Sequence, residues 1–227
     1  MTDTRKPWVM LSVLAPLVAV LAIAGAALGA DGRWLYLIAK PLATILLLGF
    51  AWAAPQRVSA RYRRAIGIGL VWSLVGDVFL MFPGYFVFGL VAFLIAHLAY
   101  IYAFTEDVRL FARPLTSFGG VILAALIVYL LWPGVPEALR IPVIAYGVAL
   151  STMAAQAITR VQVLGRTDPL AASARFAAIG ACIFMVSDTF LAYGRFRGEL
   201  PLAAVLVLGT YYAAQWFIAR SVQARPA

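Results

Sequence analysis

Two aspartates lie inside long apolar stretches of this sequence, where an ionisable side chain is rare. Asp77 lies in residues 73–80, and Asp188 lies in the similar residues 187–191. An ionisable group inside a membrane costs at least about 2.5 kcal/mol even on insertion scales, so it usually has a partner or a task. Two carboxyl groups in one apolar site lose their protons separately, so one can hold a proton while the other is ionised. The pair suits acid–base hydrolysis and, equally, proton-coupled transport.

The composition places these aspartates in an integral membrane protein. Of the 227 residues, 64% are hydrophobic and 12% are charged, and the mean hydropathy is +0.95. Apolar runs near the roughly 20 residues that cross a bilayer as a helix recur along the chain, without the alternation of transmembrane strands. The net charge of +9 comes from basic residues that cluster between these runs. The clusters indicate membrane topology and give no support to nucleic-acid binding.

The apolar runs predict an all-α, polytopic fold in which eight transmembrane helices form a single domain over residues 1–227. The predicted spans are about 8–28, 34–52, 65–82, 85–104, 115–132, 139–158, 174–193 and 200–219. The first run exceeds the roughly 7 to 15 residues of a signal-peptide core, so we expect it to be retained.

Eight spans place both termini on one side of the membrane, and the basic residues indicate which side. Thirteen of them lie in the terminal segments and in the connections on that side, while Lys40 lies within a span. The four on the opposite side are Arg33, Arg140, Arg195 and Arg197. Both termini are therefore predicted to be cytoplasmic. The Arg-rich and Ala-rich composition is typical of a bacterial protein, which predicts the bacterial inner membrane.

Four polar residues are predicted to lie in one layer of the bundle. Asp77 and Asp188 lie on spans that run outward, each about five residues, or roughly 7 Å, before the outer end. Lys40 lies roughly 9 Å below the same face, and Tyr146 falls at a similar level. We therefore expect Asp77 and Asp188 to face one cavity. The alternative is that each aspartate only ties helices together through Lys40 or hydroxyl side chains.

A second group of polar residues lies on the same spans and can support such a site. These residues are Ser73, His97, Tyr100, Ser187, Tyr211 and Gln215. Residues three or four apart share a face of a helix, as Ser73 and Asp77 do. Each of these side chains either meets a substrate or bonds neighbouring helices together, and a single histidine is more often a packing residue than a catalyst.

No cofactor is predicted from the sequence. Cys182 is the only cysteine, which excludes an intrachain disulfide, and His97 is the only histidine, which excludes a His-rich metal site. A mixed carboxylate and histidine site stays open without support.

Short motifs follow one another from the second predicted span to the eighth. They are Lys40-Pro41, Gly76-Asp77, Phe93-x-x-Ala96-His97-x-x-Tyr100, Ser187-Asp188, and Tyr211-Tyr212 with Gln215. This ordered set resembles the YhhN family of lysoplasmalogenases. The resemblance implies an eight-helix membrane hydrolase that needs no metal or organic cofactor and cleaves the vinyl ether bond at the sn-1 position of lysoplasmalogens. It also implies that Asp77 and Asp188 are the family's intramembrane acidic pair.

The chemistry of vinyl ethers fits such a pair. The alkene carbon takes a proton, and water captures the resulting oxocarbenium ion, giving fatty aldehyde and glycerophosphoethanolamine or glycerophosphocholine. One aspartate would donate the proton while its ionised partner stabilises the cation and activates water. Lys40 either keeps one carboxylate ionised or meets the phosphate of the lysophospholipid. The alternative function is a proton-linked transporter of a small molecule or lipid that uses the same two aspartates.

Overall fold

The computed structural model describes residues 5–55 and 58–223, and most of this chain is α-helical. The helices are α1 (Arg5–Ala27), α2 (Arg33–Trp52), α3 (Ala60–Leu80), α4 (Phe86–Phe104), α5 (Pro114–Leu131), α6 (Arg140–Leu164), α7 (Ala171–Phe196) and α8 (Ala203–Arg220). Two short 3-10 helices, Trp132–Gly134 and Glu137–Leu139, lie between α5 and α6. The all-α prediction is confirmed, and each predicted span falls on one helix.

Six of the described helices, α1, α2 and α4 to α7, are long and apolar enough to cross a membrane. The other two, α3 and α8, are more polar. Helix α3 begins with Arg61, Arg63 and Arg64 and carries Asp77, and α8 carries Gln215 among its tyrosines. The helices that carry much of the predicted polar site are thus the ones with the weakest membrane signal.

Consecutive helices pack against each other as hairpins, and α8 closes the bundle. The most extensive contacts are those of α1 with α2, α3 with α4, and α7 with α8. Helix α6 packs equally on α5 and α7, and α8 also packs against α1 and α2. Helix α5 lies on the outside, because it packs mainly on α6 and buries only Leu131. The earlier helices and α6 to α8 therefore form the interior, and α5 presents most of its apolar side chains outward.

Helix α3 approaches α4 closely because small residues line its contact face. A Cβ added at Gly69 would overlap the Tyr100 ring, and one added at Gly76 would lie 2.6 Å from the Phe93 ring. Such contacts are sterically impossible, so the two aromatic rings of α4 fit only against bare backbone. Small residues at helix interfaces allow this close approach in membrane proteins.

A buried charge cluster fixes the end of the bundle that carries the α2–α3 connection. Arg160 is fully buried and donates to both carboxylate oxygens of Asp107, at 2.8 and 2.6 Å. It also donates to the Tyr62 hydroxyl at 3.0 Å, and Tyr62 lies 2.8 Å from the Ser221 hydroxyl. The cluster therefore ties α3, the α4–α5 connection, α6 and the end of α8 together.

The same end holds Val222, just beyond α8. The amide of Val58 donates to the carbonyl of Val222 at 3.0 Å, which joins the α2–α3 connection to the end of the described chain. Two basic residues that enter the topology prediction, Arg57 and Arg225, lie outside the described residues. The cytoplasmic location of this end stays a prediction.

We expect the substitution Arg160→Met to destabilise the protein strongly. It leaves the Asp107 carboxylate without its bidentate partner, and breaking a buried pair in this way costs about 3–5 kcal/mol. The measurement is the unfolding midpoint of detergent-purified protein. Arg166→Met, at an exposed arginine in the α6–α7 connection, is the matched control. Equal midpoints for the two variants would contradict a stabilising role of the cluster.

Candidate active site

Asp77 lies on α3 among polar partners that α2 and α8 supply. Its Oδ2 atom accepts hydrogen bonds from the Thr44 hydroxyl at 2.7 Å and from the Tyr211 hydroxyl at 2.6 Å. The Lys40 ammonium lies 3.6 Å from Oδ1. Two hydroxyl donors and a nearby cation are the partners that a buried ionised carboxylate needs. The geometry therefore fits a charged Asp77.

A chain of hydrogen bonds leads from α4 to this carboxylate. The Tyr100 hydroxyl donates to Gln215 Oε1 at 2.9 Å, and Gln215 Nε2 donates to the Tyr211 hydroxyl at 3.3 Å. Ser73 lies at the far end, with its hydroxyl 3.4 Å from that of Tyr100. Ser73, Tyr100, Tyr211 and Gln215, which the sequence suggested as supporting residues, thus meet in one network around Asp77.

Lys40 lies inside the bundle with its side chain almost fully buried. Its ammonium donates to the Tyr36 hydroxyl at 3.3 Å besides facing Asp77. The carbonyl of Lys40 accepts a hydrogen bond from Tyr212 at 3.0 Å, which fixes α2 against α8. Of the two roles left open by the sequence, the structure favours pairing with a carboxylate. Thr44 was missed, although it lies four residues after Lys40 on the same face of α2.

Asp188 lies on α7 in a different cluster, made with α4 and α6. Its Oδ2 atom accepts a hydrogen bond from the Tyr146 hydroxyl at 2.5 Å, and His97 Nε2 lies 3.9 Å from the same oxygen. His97 is fully buried, and within the described residues neither of its ring nitrogens has a hydrogen-bond partner. Its ring packs edge-on against Tyr146 and Phe184. Asp188 therefore has one hydroxyl donor. Asp77 has two hydroxyl donors and a nearby ammonium group.

An apolar pocket opens beside Asp188, between α4, α5, α6 and α7. Its cavity volume is about 80 Å³, well below the roughly 300–1,000 Å³ of typical ligand sites, so it is a narrow pocket. Its lining residues are Leu80, Phe86, Leu90, Phe93, Ala124, Ile127, Val128, Leu131, Val143, Tyr146, Gly147, Leu150, Ser151, Met185, Asp188, Thr189, Leu191, Ala192 and Phe196. The narrow pocket thus presents a carboxyl group and a phenol among apolar side chains.

In the part of the chain that the structure describes, the two aspartates lie in separate clusters and do not line one pocket, which differs from the sequence-based prediction. Asp77 is absent from the described residues that line this pocket, and its hydrogen-bond partners are not those of Asp188. A layer of aromatic rings separates the clusters: Phe93, on the pocket wall, packs against Tyr211 at 5.8 Å and Phe184 at 6.1 Å. The structure thus holds two adjoining polar clusters.

The difference has two physical causes. Helix α7 continues to Phe196, so Asp188 lies eight residues before the end of its helix, while Asp77 lies three before the end of α3. Residue counting also gives only the level of a residue along its helix axis. It does not give the direction of the side chain, which depends on the neighbouring helices. Asp77 points to α2 and α8, and Asp188 points to α4 and α6.

One predicted supporting residue faces away from both clusters. The Ser187 hydroxyl donates to the carbonyl of Val207 at 2.9 Å, so it ties α7 to α8. Within the described residues, no group of three or more histidine, cysteine, aspartate and glutamate side chains is arranged to hold a metal ion. The apolar walls of the pocket had no signal in the sequence, because their residues resemble those that face lipid.

Comparison with known proteins gives one family. The YhhN family model matches residues 35–222. The chain is 34% identical over 196 residues to lysoplasmalogenase TMEM86A of Bos taurus, covering 83% of this chain and 72% of that protein. It is 31% identical over 202 residues to lysoplasmalogenase TMEM86B of Homo sapiens, covering 85% and 77% of the two chains.

A bacterial relative is equally similar. The lysoplasmalogenase of Mycobacterium bovis is 34% identical over 188 residues, covering 79% of this chain and 67% of that protein. No solved structure gives a significant match. Because the family model spans most of the sequence, from α2 to the end of α8, and these relatives align over most of their own lengths, the chain belongs to the YhhN family.

Proposed function

We propose that this protein is a membrane lysoplasmalogenase that hydrolyses the vinyl ether bond of a lysophospholipid. The relatives named above carry that activity in their names. The observation that carries the proposal is the position of Asp188, on the wall of an apolar pocket among transmembrane helices. A vinyl ether chain bound in this pocket has its alkene beside a carboxyl group.

Asp188 is the proton donor in the proposed reaction. It receives one hydrogen bond, from Tyr146, and is bordered by apolar side chains, whereas Asp77 faces two hydroxyl donors and the Lys40 ammonium, so we assign the proton to Asp188. Transfer of this proton to the alkene carbon forms a C–H bond, and the ether oxygen shares its electron pair with the adjacent carbon. The product is an oxocarbenium ion, and the new Asp188 carboxylate stabilises it by charge.

The same carboxylate then assists the attack of water. Water adds to the oxocarbenium carbon and returns a proton to Asp188, which leaves a hemiacetal and the enzyme in its starting state. Collapse moves the hemiacetal proton to the glycerol oxygen, breaks the carbon–oxygen bond and gives aldehyde and alcohol. His97 Nε2 lies 3.9 Å from Asp188 Oδ2 and makes no hydrogen bond within the described residues, which suits it to carry this proton.

In this proposal Asp77 does not contact the substrate. It acts by holding other side chains in position. It holds the Tyr211 hydroxyl, and the Tyr211 ring packs against Phe93 and Phe184, which border the pocket and His97. Lys40 balances its charge. Asp77 and Lys40 thereby fix the position of the aromatic rings behind the reacting groups. Asp77 is a positioning residue, and its tests differ from those of Asp188.

The proton-linked transporter remains a second candidate because of the hydrogen-bond chain from Ser73 to Asp77. Hydroxyl and amide groups in series beside a buried carboxylate are the parts of a proton relay. A transporter needs two compartments and a hydrolase does not. Purified protein in detergent therefore distinguishes the two functions.

We expect detergent-purified protein to release fatty aldehyde from a lysoplasmalogen. It should leave the saturated ether analogue intact, because that lipid has no alkene to protonate. In D₂O the aldehyde should carry deuterium at the carbon next to its carbonyl, since the donated proton comes from an exchangeable carboxyl group. Mass spectrometry measures both results. Lipid or solute flux in sealed vesicles, with no aldehyde in detergent, would identify a transporter instead.

We expect Asp188→Asn to lower turnover by about 10²- to 10⁴-fold, because an amide cannot act as the general acid. Thr189→Val is the matched control, since Thr189 also lines the pocket and its hydroxyl only donates to the Met185 carbonyl. Aldehyde release is measured for both variants after gel filtration confirms that they are folded. Near-normal turnover in Asp188→Asn would contradict the mechanism.

Variants of the Asp77–Lys40 pair should show a different pattern. Asp77→Asn and Lys40→Met each leave one buried charge unpaired, which costs about 3–5 kcal/mol and lowers the yield of active enzyme. The double variant removes both charges, and the amide oxygen of the substituted side chain can still accept from Tyr211. We expect it to recover stability and most of the turnover. A stable but inactive double variant would show instead that Asp77 takes part in the chemistry.

A further inference from the structure

A wider groove adjoins the apolar pocket at one end of the bundle. The end groove, as we call it, lies between the α3–α4 connection, the end of α7 and the start of α8, and has a cavity volume of about 690 Å³. It shares Leu80, Phe86 and Leu191 with the apolar pocket. The end groove is therefore the neighbouring space for the part of a ligand that the apolar pocket does not hold.

Two charged side chains line the end groove. The Arg195 guanidinium lies 4.8 Å from the centre of the Phe86 ring, so it is held where the pocket and the groove meet. Glu199 lies in the α7–α8 connection and lines the same groove. Within the described residues, the ion pairs involve other side chains, so both charges are available to a ligand.

We propose that the end groove binds the head group of the lysophospholipid, with Arg195 on the phosphate and Glu199 on the ammonium of an ethanolamine group. This inference rests on the proposed function and names the part of the substrate that the apolar pocket does not hold. The planar guanidinium matches phosphate oxygens in a bidentate manner. A carboxylate accepts hydrogen bonds from a primary ammonium.

The spacing along α7 fits a lysophospholipid. Arg195 lies seven residues after Asp188, so both project from one face of α7, about 10 Å apart along its axis. The glycerol backbone lies between the vinyl ether oxygen and the phosphate, and the long arginine side chain covers the remaining distance. The alkene then lies at Asp188 and the phosphate at the mouth of the pocket.

Glu199 predicts a preference between two head groups. The trimethylammonium of choline has no N–H group, so it interacts with the carboxylate by charge alone. Ethanolamine adds hydrogen bonds and approaches more closely. The enzyme should therefore have a lower KM for the ethanolamine lysoplasmalogen than for the choline form.

Steady-state hydrolysis of the two lysoplasmalogens by purified enzyme tests the proposal. Arg195→Gln should raise KM roughly tenfold for both substrates with kcat nearly unchanged, as expected for the loss of one charge-assisted contact. Glu199→Gln should raise KM roughly fivefold for the ethanolamine substrate and less for the choline substrate, which loses only the charge interaction. Arg197→Gln is the matched control, because this exposed arginine does not line the end groove.

The proposal is overturned if Arg195→Gln behaves like Arg197→Gln, or if Glu199→Gln leaves the ratio of the two KM values unchanged. Binding of the saturated ether lysolipids, with ethanolamine and choline head groups, separates this proposal from the proposed function. If wild-type protein releases no aldehyde, the proposed function fails. A weaker Kd in Arg195→Gln than in Arg197→Gln would then still support the head-group site, and equal Kd values would overturn it.

Discussion

The buried carboxyl group of Asp77 is the constraint on which much of the interior depends. A carboxyl group in an apolar bundle needs hydrogen-bond donors, and here the donors and an ammonium group come from two other helices. Thr44 and Lys40 bring α2 to α3, and Tyr211 brings α8. The tyrosine then orders the aromatic rings that separate this cluster from the pocket. The partners of one buried carboxyl group thus fix the arrangement of three helices and one wall of the ligand site.

The second aspartate has the same chemistry in a different setting. Asp188 has a phenol and a histidine as its polar neighbours and borders a pocket with an apolar lining. Two identical side chains can take different roles when one is fully paired and the other is not, as is common in hydrolases that use two carboxyl groups. In the proposed mechanism this contrast assigns the proton to Asp188 and the permanent charge to Asp77, although both are acidic residues of apolar helices.

Much of the fold could be predicted from the sequence, because hydrophobic runs report directly on helices in a membrane. All eight helices were predicted. The ends were less certain, since charged and small residues continue a helix beyond its apolar part, as in α7. The supporting residues around Asp77 were also predicted, because Ser73 and Gln215 lie at helical spacing from Asp77 and Tyr211. These predictions succeeded where the relevant distance runs along a single helix.

The rest of the site depends on distances between helices, which no periodicity reports. Thr44 contacts Asp77 only because α2 is rotated toward α3, and Ser187 faces α8 although it adjoins Asp188. The pocket itself is made of leucine, valine and phenylalanine side chains that have the same composition as a lipid-facing surface. Only the packing of α5 across α6 and α7 shows which of them enclose a cavity.

The close contact between α3 and α4 gives the two residues of the dipeptide Gly76-Asp77 two connected structural roles. Gly76 leaves the space that the Phe93 ring fills, and Asp77 holds the hydroxyl of Tyr211, whose ring packs edge-on against that same phenylalanine. Two consecutive residues thus support both rings of the aromatic layer: Gly76 leaves space for Phe93, and Asp77 binds the hydroxyl of Tyr211. The two positions are mechanically coupled: a side chain at 76 would displace Phe93, then Tyr211, and so loosen a hydrogen bond to the neighbouring carboxylate.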